Sequence, residues 1–207
     1  MSRHVRSIAS VALVASSALA GTAAAVDQGD ILVRAGISIL DPKSDNLTLS
    51  PGTTLQVDED TRPTFDVTYM FRDHWGVELF ASSIWKHDLG VRSATGTTRL
   101  GEVSHLPPTL SVQYHFTPMG RFRPYVGLGV NYTFLFNEEP DALGIDNSFG
   151  AAAQLGLDFD LDDHWFANLS ARYIDIDAKA RLASTRLGTV EIDPVVYGIN
   201  LGYRFSR

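Results

Sequence analysis

The chain has 207 residues, the length of one domain, and its 44% hydrophobic and 20% charged content excludes both a disordered chain and a helical membrane protein. It contains no cysteine, which excludes a disulfide scaffold and thiolate metal sites. The formal net charge is −7, and loss of an N-terminal segment carrying Arg3 and Arg6 would leave −9 with no basic stripe, so nucleic acid is not an expected partner.

Residues 1–25 read as a cleaved signal peptide. Arg3, His4 and Arg6 form a basic start, and Ile8 to Leu19 is a short apolar stretch interrupted by serines. Ala18-Leu19-Ala20 and Ala23-Ala24-Ala25 both supply the small-x-small pattern that precedes cleavage. An uncleaved anchor is the competing reading, but it needs about 20 apolar residues and this stretch is shorter. Residues 26–207 are expected to form one barrel domain.

From Ile31 onward the dominant period is two, the mark of strands with one apolar face. Eight strands are expected: 30–39, 64–71, 75–84, 109–116, 124–136, 149–161, 165–175 and 195–205. The first sets Ile31, Val33, Ala35 and Ile37 against Leu32, Arg34, Gly36 and Ser38. The last sets Val195, Tyr197, Ile199, Leu201, Tyr203 and Phe205 against Gly198, Asn200, Gly202 and Arg204. The connections after strands two, four and six are tight (Arg72-Asp73-His74, Thr117–Arg123 and Asp162-Asp163-His164). The others are long and polar, the asymmetry of membrane barrels. Arg72-Asp73-His74-Trp75 is echoed in Asp162-Asp163-His164-Trp165, which reads as repeated hairpin logic.

Alternation alone does not say which face points outward, because a soluble lipocalin-type barrel turns its apolar face inward. Three features favour a membrane. Phe71, Trp75, Phe116, Phe159, Trp165, Tyr203 and Phe205 crowd the short-turn end, where an interfacial girdle would sit. Arg34, Asp66, Glu78, His115, Arg172 and Arg204 share the opposite face, where enclosure would let charges pair. The final strand ends in an aromatic, Phe205, followed by Ser206 and Arg207. The expected fold is therefore all-β: an eight-stranded antiparallel transmembrane β-barrel of up-and-down type, in a Gram-negative-type outer membrane with periplasmic termini. Expected partners are membrane lipid, lipopolysaccharide and, through the C-terminal strand, the barrel-assembly machinery.

Several segments carry a family resemblance: Gly29-Asp30-Ile31-Leu32-Val33-Arg34, Ile84-Trp85-Lys86-His87-Asp88-Leu89 and His105-Leu106-Pro107-Pro108-Thr109-Leu110. Arg123-Pro124-Tyr125-Val126-Gly127-Leu128-Gly129-Val130-Asn131-Tyr132, Tyr173-Ile174-Asp175-Ile176-Asp177, Ile192-Asp193-Pro194 and Gly202-Tyr203-Arg204-Phe205 extend it. In this order and spacing the chain resembles OmpW-type outer membrane proteins. The resemblance implies uptake of small hydrophobic molecules, including alkane-like compounds, through a narrow, partly apolar barrel with a sideways exit into the membrane.

An eight-stranded barrel is just wide enough for side chains to fill it, so a broad aqueous channel is not expected. Leu32, Met70, Phe80, Tyr125, Phe166, Ile174 and Val196 fall on the lumen face and form the expected apolar path. Arg34, Asp66, Glu78, Arg172 and Arg204 form the expected charged barrier towards the periplasm. Packing and pairing inside a stable barrel is the competing reading of both sets. Pro107 and Pro108 supply no ladder donors and mark a possible wall opening, whereas Pro194 reads as a strand start.

Other classes are weaker. Ser111 and His115 share a strand face about 13 Å apart, too far for a nucleophile–base pair even with Asp66 on a nearby face, so no enzyme is expected. His87-Asp88 reads as a solvated turn. His87, Asp88, Glu102 and His105 have loose spacing for a metal, and no metal or cofactor is expected. Glu138-Glu139-Pro140-Asp141 reads as a solvated acidic loop, and adhesion through the long loops is the alternative to transport.

Overall fold

A computed structural model of the chain describes residues 25–43, 47–136, 143–182 and 185–206. The expected signal peptide up to Ala24 and the acidic loop Glu138–Asp141 lie outside the described residues.

Alternating apolar and polar residues form the strands, which are β1 (Ile31–Asp41), β2 (Leu47–Ser50), β3 (Thr53–Val57), β4 (Asp60–Arg72), β5 (Trp75–Ser82), β6 (Trp85–Ser93), β7 (Gly96–Leu106) and β8 (Thr109–His115). They continue as β9 (Phe122–Phe136), β10 (Leu143–Ile145), β11 (Ser148–Asp160), β12 (Trp165–Ile174), β13 (Asp177–Leu182), β14 (Thr185–Glu191) and β15 (Val195–Phe205).

Eight of these close into an antiparallel barrel in the order β1-β4-β5-β8-β9-β11-β12-β15, with β15 returning to β1. The closing register runs from Ile31↔Phe205 to Asp41↔Val195, so no barrel edge is left to recruit another chain. No described helix is long and apolar enough to cross a membrane; strands make the wall.

The tight turns suit their residues. His74 takes a left-handed conformation (φ 67°) between β4 and β5 and rests its ring on Tyr114 at 5.8 Å. Across the barrel, His164 stacks on Tyr203 at 5.5 Å in the echoed turn.

The long connections depart from the polar loops expected of them. β2, β3, β6 and β7 continue the sheet from β9, and β10, β13 and β14 form a separate three-stranded sheet. Their sequences alternate too irregularly to register as strands; pairing to neighbours folds them, as in the bulge between Leu89 and Gly90 of β6.

Burial decides the facing. Leu128, Ile199 and Phe149 on the outer wall are 73%, 71% and 69% exposed, within a continuous apolar surface that water would not tolerate. Arg34, Glu78, Asp158 and Arg123 are fully enclosed. The short-turn rim carries an aromatic belt in which Trp75 meets Tyr114 and Trp165 meets Tyr203, edge on, at 5.0 and 4.9 Å. This suits a membrane interface.

Candidate functional site: a layered lumen with a break in its wall

The lumen is filled in layers. At the short-turn end Val26, Leu32, Met70 and Phe166 form a buried apolar plug. The segment before β1 is tied across this mouth: Gly29 N donates to Met70 O at 2.8 Å and Met70 N to Asp30 O at 2.9 Å. Arg204 belongs here rather than with the other charges, donating to Asp163 O at 2.6 Å. Phe166 fits because Gly202 faces it; a Cβ there would come within 2.2 Å of the ring.

Above the plug lies an ionic layer. Arg34 pairs with Asp66 at 2.9 Å and Asp158 at 3.0 Å. Arg123 pairs with Asp158 at 3.2 Å and Asp160 at 3.1 Å. Arg172 pairs with Glu78 at 2.8 Å, and Gln154 donates to the same carboxylate at 3.1 Å. Asn168 donates to Asp158 at 2.7 Å and to the Tyr125 hydroxyl at 3.1 Å. Tyr125 lies over Arg34, 5.0 Å from ring centre to guanidinium carbon. Enclosed charges survive only with such partners, because an isolated ion in a low-dielectric interior is heavily penalised.

Beyond the ionic layer an apolar cluster fills the long-loop end. Phe80, Ile174 and Val196 join Leu40, Trp85 and Leu89 in it. Arg172 stacks over the Phe80 ring at 4.1 Å, joining the two layers.

The expected apolar path is thus not one continuous lining. Leu32, Met70 and Phe166 lie in the plug, Tyr125 in the ionic layer, and Phe80, Ile174 and Val196 in the upper cluster. Of the expected charges, Arg34, Asp66, Glu78 and Arg172 occupy one layer. Arg123 and Asp158 complete it but were not singled out from sequence. Arg123 sits one residue before the expected fifth strand, and Asp158 was legible only as one polar residue on the inner face of the sixth.

The wall breaks where Pro107 and Pro108 join β7 to β8. The β5–β8 register runs to Phe80↔Thr109, and pairing resumes only at Trp85↔His105 on β6 and β7. On the other side Pro108 still accepts, from Tyr132 N at 3.2 Å and Asn131 Nδ2 at 3.0 Å. The break therefore faces β5. Pro194 only precedes β15 and accepts from Ile174 N at 3.1 Å, as a strand start does.

His115 Nε2 donates to Gln113 Oε1 at 3.0 Å, and its ring stacks on Tyr125 at 5.1 Å. The residues considered for a metal separate: Asp88 faces outward to Arg99 at 2.6 Å and Glu102 to Lys86 at 3.4 Å, while His87 and His105 turn inward and stack at 4.9 Å. Asp175, Asp177 and Asp193 do converge, with ligand atoms within 4.8 Å, but Lys43 lies 3.4 Å from Asp193 and Ile176 N donates to its other oxygen.

Residues 27–205 match the sequence profile of the OmpW family. The chain is 36% identical to Outer membrane protein W of Escherichia coli (strain K12) over 208 residues, covering 94% of this chain and 97% of that one. The crystal structure of the outer membrane protein OprG from Pseudomonas aeruginosa superposes with a TM-score of 0.77 at 34% identity, covering 92% of this chain and 100% of that one. Outer membrane protein AlkL of Ectopseudomonas oleovorans is 31% identical over 162 residues, covering 75% of this chain and 70% of AlkL. The solid-state NMR structure of outer membrane protein AlkL in DMPC lipid bilayers superposes with a TM-score of 0.65 at 26% identity, covering 90% of this chain and 95% of that one.

Proposed function

The chain belongs to the OmpW family of outer membrane barrels, and on that premise we propose that it admits small hydrophobic molecules and releases them sideways into the membrane. In this reading the long-loop end faces outward, both termini lie in the periplasm, residues 1–25 are a cleaved signal peptide, and lipopolysaccharide surrounds the loops. A solute enters the apolar cluster of Phe80, Ile174 and Val196 and meets the ionic layer of Arg34, Asp66, Asp158, Arg123, Glu78 and Arg172. Passing it would mean leaving apolar contacts for a layer of buried ion pairs, and the plug of Leu32, Met70 and Phe166 lies beyond. The interrupted ladder between Phe80↔Thr109 and Trp85↔His105 carries the proposal, because it lies beside the apolar cluster on the outer side of the barrier. The barrel offers this route without catalytic chemistry.

Uptake into outer-membrane vesicles tests it, with a polar solute of equal size as control. Wild-type protein should speed entry of the hydrophobic compound alone. The double substitution Pro107→Ala/Pro108→Ala supplies two ladder donors, and should slow that entry without unfolding the barrel. Equal entry of both compounds would remove the selective conduit and leave the loop sheets as the working surface. Unchanged entry in the double variant would remove the opening at the prolines.

A further inference from the structure

On the inner face of the β6–β7 hairpin, at the edge of the wall break, four polar atoms lie in an otherwise apolar cluster. They are Trp85 Nε1, His87 Nε2 and both ring nitrogens of His105, all buried and with no hydrogen-bond partner among the described residues. Trp85 and His105 are direct cross-strand partners, and His87 stacks on His105 with the ring planes 15° apart. Trp85, His87 and His105 are 0%, 1% and 0% exposed. A buried polar atom without a partner has lost its hydration with nothing in return, so this concentration on three neighbouring side chains calls for a partner.

The chemistry of these atoms defines that partner. The Trp85 indole N–H only donates. The His87 Nδ1 faces the Asp58 carbonyl, which only accepts, so Nδ1 carries the proton and Nε2 presents a lone pair. Neutral His105 adds one donor and one acceptor. Burial lowers the ring pKa of both histidines, His105 further because His87 adds repulsion, so both are neutral in this setting. The group that fits must accept from the indole and donate to an imidazole. A hydroxyl does both; a methyl does neither, and a carboxylate cannot donate.

We propose that Trp85, His87 and His105 form a headgroup site for the hydroxyl of a small alcohol with an apolar body, seated at the inner lip of the wall opening. The site deepens the uptake proposal and rests on it: the transported class becomes hydroxylated hydrophobic molecules, with the body in the Phe80 and Leu89 cluster and the hydroxyl on the hairpin. An ordered water would satisfy the same atoms but would give no preference for an alcohol over its hydrocarbon counterpart.

Cyclohexanol and methylcyclohexane test this, since they match in shape and differ only by hydroxyl against methyl. Trp75 and Trp165 are the other tryptophans of the chain, and both lie on the outer short-turn rim. Trp75→Phe/Trp165→Phe protein in nanodiscs therefore reports through Trp85 alone. Cyclohexanol should shift Trp85 emission saturably, with a midpoint about fivefold below that of methylcyclohexane once partitioning into empty nanodiscs is subtracted. His105→Leu should erase that preference while melting no lower than the parent, because it removes a polar ring with no hydrogen-bond partner among the described residues. Equal midpoints, a silent Trp85, or a preference surviving in His105→Leu would overturn the site. Vesicle entry of both compounds separates the two proposals. Accelerated entry with equal midpoints refutes the headgroup site and keeps uptake, whereas a cyclohexanol preference without accelerated entry keeps the site and refutes uptake.

Discussion

Asp158 shows how single side chains hold the lumen. It accepts from Arg34, Arg123 and Asn168, bridging strands β1, β9, β11 and β12. Asp158→Ala would leave Arg34 only Asp66 and Arg123 only Asp160 as carboxylate partners, and removing one partner of a buried ion pair costs about 3–5 kcal/mol. A loss of that size should appear as a lower urea midpoint in lipid vesicles. A change below about 1 kcal/mol, the value of an exposed pair, would show that water reaches the layer. Asp158 was visible in the sequence only as an inward polar residue; its two arginines come from positions 124 and 35 residues away along the chain.

The β6–β7 hairpin carries the most consequential element-scale behaviour. His87 on β6 and His105 on β7 lie outside the eight wall strands, and burial holds both ring pKa values below the usual 6.5. The folded hairpin thus favours neutral rings, while the opened one takes up protons once pH falls below about 6.5. Its stability should be complete above that value and decline as the pH drops. Amide hydrogen exchange of β6 and β7 should therefore be slower at pH 8 than at pH 5 after correction for intrinsic rates. Equal corrected rates would mean that the rings are hydrated. The hairpin also explains why its sequence read as a polar loop: Lys86, Asp88 and Glu102 face out and break the apolar run, while Trp85, His87, Val103 and His105 face in.

For the molecule as a whole, closure depends on the last strand. Tyr203 and Phe205 pair with Val33 and Ile31, and Tyr203 also pairs with Trp165. Truncation after Gly202 removes these pairings and Arg204, which ties β15 to the turn at Asp163. The truncated chain should lose the compact, heat-modifiable band of a folded barrel in unboiled gels. If that band persists, closure rests on the upper register from Arg34↔Gly202 to Asp41↔Val195 alone.

The period of two, the tight turns and the aromatic rim were enough to set the eight wall strands and their facing, because side-chain direction along a strand is fixed by the backbone and depends little on distant residues. The mixing of plug, ionic layer and upper cluster was not legible, since which inward residues share a level depends on the stagger of the closed barrel. Leu32 and Phe80 look equivalent in sequence, yet they lie on opposite sides of the Arg34 layer. Likewise Trp85, His87 and His105 became a polar site only when the hairpin turned them onto one face and neighbouring strands excluded water. Local alternation determined the wall; tertiary closure determined what meets inside it.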